Sequence, residues 1–146
     1  MTESQIRRLI INSYYKNKSA SSYKMMIPNV YLYKWEADLL GITKSNYVHE
    51  FEIKTTFQDF KNEFIHKFEK HNLFKTPYDI DAIPNRLYYV CETGVIPEVP
   101  EYAGLIHTVN RGLKKSLRII KKAPLLHNEK FEDWENIAKK LFYKTI

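Results

Sequence analysis

The sequence is short of cysteine, glycine and long apolar runs, and each shortage closes off a class of protein. Its one cysteine, Cys91, permits no internal disulfide and no multi-thiolate zinc site, which suits a reducing compartment. The four glycines stand at 41, 94, 104 and 112, so there is neither a Walker A loop nor a dinucleotide fingerprint. No apolar run approaches the ~20 residues of a membrane span. The opening MTESQIRRLIINSYYK lacks the apolar region and cleavage site of a signal peptide. The expectation is a soluble cytoplasmic chain with no membrane partner. Few glycines, six prolines and 44% hydrophobic residues exclude collagen-like, low-complexity and disordered chains.

What is present is enough chain, 146 residues, for a single domain over 1–146. A domain of this size removes roughly 70% of its unfolded surface from water. The net charge of +6 favours a polyanionic partner, and its distribution is uneven. Residues 1–34 carry six bases and one acid, and residues 35–110 carry seven bases and twelve acids. Residues 111–122, RGLKKSLRIIKK, carry six bases and no acid, whereas 123–146 are balanced. An acid-rich centre therefore lies between basic segments.

Hydropathy periods indicate the order α-β-β-β-α-β-β-(β)-α, an α/β or α+β domain. Ile6, Leu9, Ile10 and Tyr14 recur at helical spacing from Thr2 to about Asn17. Strand-like runs come next at 24–32, 33–42 and 47–55. Thr55 or Thr56 then caps a helix reaching about Asn72, with Phe57, Phe60, Phe64 and Phe68 as its core stripe. Lys61, Lys67 and Lys70 fall on its other faces. Strands are expected at 86–92, at 103–109 and, more weakly, at 117–120. A last helix over about 128–143 presents Phe131, Trp134, Ile137, Ala138, Leu141 and Phe142 on one side.

The stretch that carries chemistry is Trp35-Glu36-Ala37-Asp38, with Glu52-Ile53-Lys54 beginning fourteen residues after Asp38. Side chains alternate along a strand, so Glu50, Glu52 and Lys54 share a face of the third strand, and Glu36 and Asp38 share a face of the second. Antiparallel pairing through the intervening turn brings Asp38 beside Glu52 and Lys54. Carboxylates so close repel, and a hard divalent cation such as Mg²⁺ is the usual compensation. A nearby lysine can activate or orient a water for attack on phosphorus. The bland alternative is a solvated strand face with cross-strand pairing. The five histidines make no zinc set: His66 and His71 are five apart, and His49 lies opposite Glu50. Cys91 reads as a small buried hydrophobe.

Asp38 with Glu52-Ile53-Lys54 resembles the D…(D/E)xK signature of the PD-(D/E)XK, restriction-endonuclease-like superfamily. The segments WEADLL (35–40), EIKTTFQDFKNEF (52–64), RLYYVC (86–91), Pro100 and AGLIHT (103–108) resemble, in order, the MmcB-like DNA-repair branch and its phage relatives. The likeness covers about 27–124. It implies an αβββαβ core, a central mixed sheet flanked by helices, and metal-dependent deoxyribonuclease activity. It implies Asp38, Glu52 and the Ile53 carbonyl as ligands of Mg²⁺, with Mn²⁺ able to substitute. Lys54 would be the catalytic lysine and Glu3 an additional acid. Ala37 stands where the motif name has proline.

DNA is then the expected partner. Arg7 and Arg8, with Lys16, Lys18 and Lys24, form one candidate phosphate-binding patch, and Lys114, Lys115, Arg118, Lys121 and Lys122 form the other. Glu36 and Glu50 are expected behind the site or in solvent. Two rival readings belong to other classes. One is a DNA-binding protein that keeps the nuclease fold without catalysis. The other is a structural subunit, a homodimer for example, paired through the aromatic C-terminal helix.

Overall fold

The computed structural model describes residues 1–17, 22–77 and 79–146. Thr2 opens helix α1 (Glu3–Ile11) with a capping box: its hydroxyl accepts from Gln5 N, and the Gln5 side chain accepts from Thr2 N. A π-turn over Asn12–Lys16 ends the helix. Strands β1 (Tyr23–Val30), β2 (Ala37–Thr43) and β3 (Val48–Ile53) form an antiparallel meander. Two helices, α2 (Phe57–His66) and α3 (Phe68–Lys75), carry the chain over to β4 (Arg86–Glu92), which pairs parallel to β3. Strand β5 (Ala103–Arg111) is parallel to β4, and β6 (Lys114–Lys121) folds back antiparallel on β5. Helix α4 (Trp134–Thr145) closes the chain. The six strands stand side by side in chain order in one mixed sheet flanked by helices.

Core clusters fill both faces. Ile6 and Ile10 of α1 pack on Leu39, Phe51, Val90 and Ile106 on one face. On the other, Phe60, Leu73 and Phe74 pack on Leu87, Tyr89 and Leu105. Helix α4 adds Ile137 to a third cluster over β1 and β2. Asn85, 1% exposed, ties three segments together. Its backbone N–H donates to Val48 O, and its side-chain oxygen accepts from Val48 N. Its amide donates to the carbonyls of His127 and Glu129, and its own carbonyl accepts from Leu126 N.

Several expectations change. The helix expected over 56–72 is two helices, because Lys67 (φ −115°, ψ 44°) breaks it and shifts the helical phase of the residues beyond it. Phe60 is buried and Phe64 partly so, while Phe57 and Phe68 of the expected stripe are exposed. Lys70, expected on an outer face, is buried together with His71, Leu73 and Phe74. The C-terminal helix expected from about 128 begins only at Trp134; Ala138 and Phe142 face solvent, whereas Trp134 and Leu141 pack from it and Phe131 packs from the segment before it. The weakly expected strand at 117–120 is a full strand beginning at Lys114. Among the described residues, no helix is long and apolar enough to cross a membrane.

Candidate functional site

Leu39 lies opposite Phe51 and Leu40 opposite Glu50, and one further step of that register sets Asp38 opposite Glu52. The Asp38 carboxylate accepts a hydrogen bond from Ile53 N at 2.8 Å, which pins it across the strand pair. Asp38, Glu52, Ile53 and Lys54 line one open pocket of about 490 Å³, with Glu3 at the start of α1 and Asn62, Glu63 and Lys67 of the α2 end. Strand pairing read from the sequence brought Asp38, Glu52 and Lys54 together and the resemblance added Glu3; the fold gathers all four around this pocket. Glu36 is exposed and does not line this pocket, whereas Glu50 is fully buried behind it.

Behind the pocket lies a buried array of charges. Lys70 Nζ donates to Glu50 Oε2 at 2.7 Å and to Glu52 Oε1 at 2.8 Å, and Trp35 Nε1 donates to Glu50 Oε1. Lys54 Nζ is 3.0 Å from Glu63 Oε1. Glu63 Oε2 is bonded by His71 Nε2 at 2.9 Å and by the Tyr89 hydroxyl, and His71 Nδ1 meets the Tyr102 hydroxyl at 2.6 Å. Ion pairs this deep form only because each charge meets an opposite one; alone, each would cost several kcal/mol.

The electrostatics reflect burial and proximity. Burial, then the neighbouring Glu52 charge, pushes the Asp38 carboxyl up to about 7. Burial also pushes Glu52 up, but Lys70, the Glu50 hydrogen bond and Lys67 together outweigh it and the carboxyl falls below its ordinary range. Glu63 is likewise pushed up by burial, and the His71 hydrogen bond, Lys70 and Lys54 outweigh that, so it is held well down. Burial works against the Lys54 ammonium, while Glu63 and Glu52 raise it further, so it stays charged.

Glu63, Lys70 and His71 are the residues that sequence reasoning missed. Read on a continuous helix, Lys70 falls away from the phenylalanine stripe. The available signal was that Leu73 and Phe74 stand three and four residues after Lys70, which places Lys70 on an inward face. Three residues of the expected DNA-binding patches are engaged internally: Arg7, Lys121 and Lys24, which donates to Asn46 Oδ1 and lies over the Trp134 ring. Arg7 is half-buried; it donates to Asp38 O and Asn29 Oδ1 and pairs with Glu3 at 3.5 Å. Lys121 donates to Pro100 O at 2.9 Å and to Glu101 O. Arg8, Lys16, Lys24, Lys114, Lys115, Arg118 and Lys122 are exposed. Lys18 lies outside the described residues.

The pocket's donor set suits a hard cation. Glu52 Oε2 is buried without a hydrogen bond, and Lys67 Nζ stands 3.7 Å away. Among the described residues, no three His, Cys, Asp or Glu side chains converge tightly enough to hold a metal by themselves. Mg²⁺ needs fewer, since it keeps several waters and binds through one or two carboxylates plus substrate phosphate. Asp38, Glu52 and the Ile53 carbonyl fit that smaller requirement.

No family model and no curated protein matches the chain. Among solved structures its fold is similar to that of the SPO1766 protein of unknown function from Silicibacter pomeroyi. The TM-score is 0.64 at 12% identity, over 99% of this chain and 87% of that one. The likeness is one of fold, and it runs through nearly the whole chain.

Proposed function

We propose that the chain is a Mg²⁺-dependent DNA phosphodiester hydrolase of the PD-(D/E)XK type, structure-selective or non-specific, serving DNA repair or processing. The observation that carries this reading is the meeting of Asp38, Glu52 and Lys54 in one open pocket at the end of β3. The antiparallel β1–β3 meander, helical crossover and parallel β4 are consistent with the αβββαβ core of that superfamily. When bound, Mg²⁺ supplies a Lewis acid that polarises the phosphoryl oxygen and makes water acidic.

The chain's own residues do the positioning. The Ile53 N–H fixes the Asp38 carboxylate, and Lys70 fixes Glu52 through one oxygen, leaving Oε2 without a hydrogen bond. Lys54, held charged by Glu63 and Glu52, orients the attacking water and offsets charge developing on the phosphoryl oxygens. Exposed Arg8, Lys114, Lys115 and Arg118 hold the phosphate backbone.

Cleavage of plasmid, single-stranded and branched DNA in Mg²⁺ tests the proposal against Asp38→Asn and Lys54→Ala. Each variant should lose at least ~100-fold in rate, since each removes a charge acting on the transition state. Mg²⁺ or Mn²⁺ should also raise the melting temperature of the wild type and not of Asp38→Asn. Equal cleavage by all three proteins would sink the assignment. One observation favours the non-catalytic alternative: Lys70 and Lys54 already neutralise Glu52 and Glu63 with no metal ion needed. Salt-dependent DNA binding with no cleavage in either metal would select it.

A further inference from the structure

Strands β5 and β6 run well past the rest of the sheet. Glu52 is level with Tyr89, and Tyr89 with Leu105, so β5 continues six residues beyond the level of Glu52 to Arg111. At roughly 3.3 Å per residue that is about 20 Å. Because β3, β4 and β5 are parallel, the extension leaves from the same end of the sheet as the candidate site, two strands aside. Strand β4 ends at Glu92, opposite Thr108, so from Val109 onward the hairpin is a two-stranded ribbon.

Residues level with one another share a sheet face. Leu105, His107, Val109 and Arg111 therefore lie on the Glu52 face, as do Lys114, opposite Arg111, and Arg118, opposite His107. The ribbon turns through Gly112 (φ +61°) and Leu113, the glycine-first pattern that suits hairpin twist. Turns favour polar residues, yet Leu113 is 107% exposed and packs on nothing among the described residues. Cations surround it, and no acid occurs between 111 and 122.

We infer that the β5–β6 hairpin is a DNA wedge, with Leu113 entering a base step while Arg111, Lys114 and Arg118 grip the flanking phosphates. The wedge rests on the proposed action on DNA and narrows it. A basic ribbon with an apolar tip matches the way side-chain wedges unstack a step between phosphate contacts. The span from Glu52 to the tip corresponds to about six base pairs at 3.4 Å each. Unstacking costs least where the stack is already weak, so the preferred substrate is duplex interrupted by a nick, mismatch or junction.

The test places 2-aminopurine stepwise along a nicked duplex, with Ca²⁺ replacing Mg²⁺ to hold the complex uncleaved. Wild type should brighten one step several-fold, about six base pairs from the cut mapped in Mg²⁺. Leu113→Ser, which loses no packing among the described residues, should abolish that signal. It should also lower the preference for nicked over intact duplex several-fold, because the intercalating apolar group is lost. The salt slope should not change, because no cation is removed. No brightened step, equal brightening by the variant, or binding to anionic vesicles in place of DNA would overturn the wedge. Leu113-dependent brightening without cleavage in Mg²⁺ or Mn²⁺ supports the wedge and removes the hydrolase. Cleavage without such brightening does the reverse.

Discussion

Lys70 shows how much of the site depends on a residue that touches no substrate. It is 3% exposed and is the shared partner of Glu50 and Glu52. Lys70→Met should destabilise the fold by roughly 3–5 kcal/mol in urea unfolding, because two buried carboxylates lose their cation. Adding Glu50→Gln should recover part of that loss, a coupling that a double-mutant cycle measures. His49 makes a different argument. Burial, then the charges of Arg86 and Lys122, depress its imidazole to about 4 from 6.5. The unfolded chain then binds a proton between those values that the folded chain refuses, so His49 favours unfolding increasingly as pH falls from 6.5 to 4. His49→Gln should gain stability relative to wild type across that window, by up to about 3 kcal/mol. Denaturant midpoints at pH 7 and pH 4 check it, and a pH-independent difference would refute it.

At the scale of elements, the parts with clean periods were legible and the parts that bury charge were not. Alternation in HEFEI (49–53) and the apolar run RLYYVC specify strands, and Thr56 caps α2 as its type suggests. Asp38 could be brought to Glu52 because strand period and a short turn leave few registers. Lys70 escaped because helical phase was carried unbroken through Lys67, where neither proline nor glycine marks a break, whereas Glu63 and His71 escaped because polar residue types carry no sign of burial in the sequence. The basic run at 114–121 hid a strand, since its outer residues are polar or exposed on both faces. Gly104 is required for a reason visible only in the assembled sheet. A Cβ there would lie 2.6 Å from Ala123 N and 2.6 Å from the Tyr88 ring. Gly104→Ala should cost about 1–3 kcal/mol by overpacking, seen as a lower melting temperature with the Ala123 segment displaced.

Over the whole molecule, the charge partition now has positions. The acidic centre supplies Asp38, Glu52 and Glu63 to one pocket, and the 111–122 surplus becomes a ribbon that leaves the sheet at the same end. Arg7 and Lys121 show that a positive residue in a basic segment can serve the fold instead. Asn85, with bonds to Val48, Leu126, His127 and Glu129, has a kinetic meaning as well. The chain from 122 to 133 has no regular structure and leads to α4, so Asn85 is a latch between the sheet and the whole C-terminal quarter. Cooperative units of this kind open with less free energy than the whole protein. In Asn85→Ala, hydrogen exchange should quicken together at Leu126, Phe131 and the α4 amides, while those of β4 and β5 keep their protection. Uniform quickening of all five regions would make the molecule a single unfolding unit, with Asn85 only one bond donor among many.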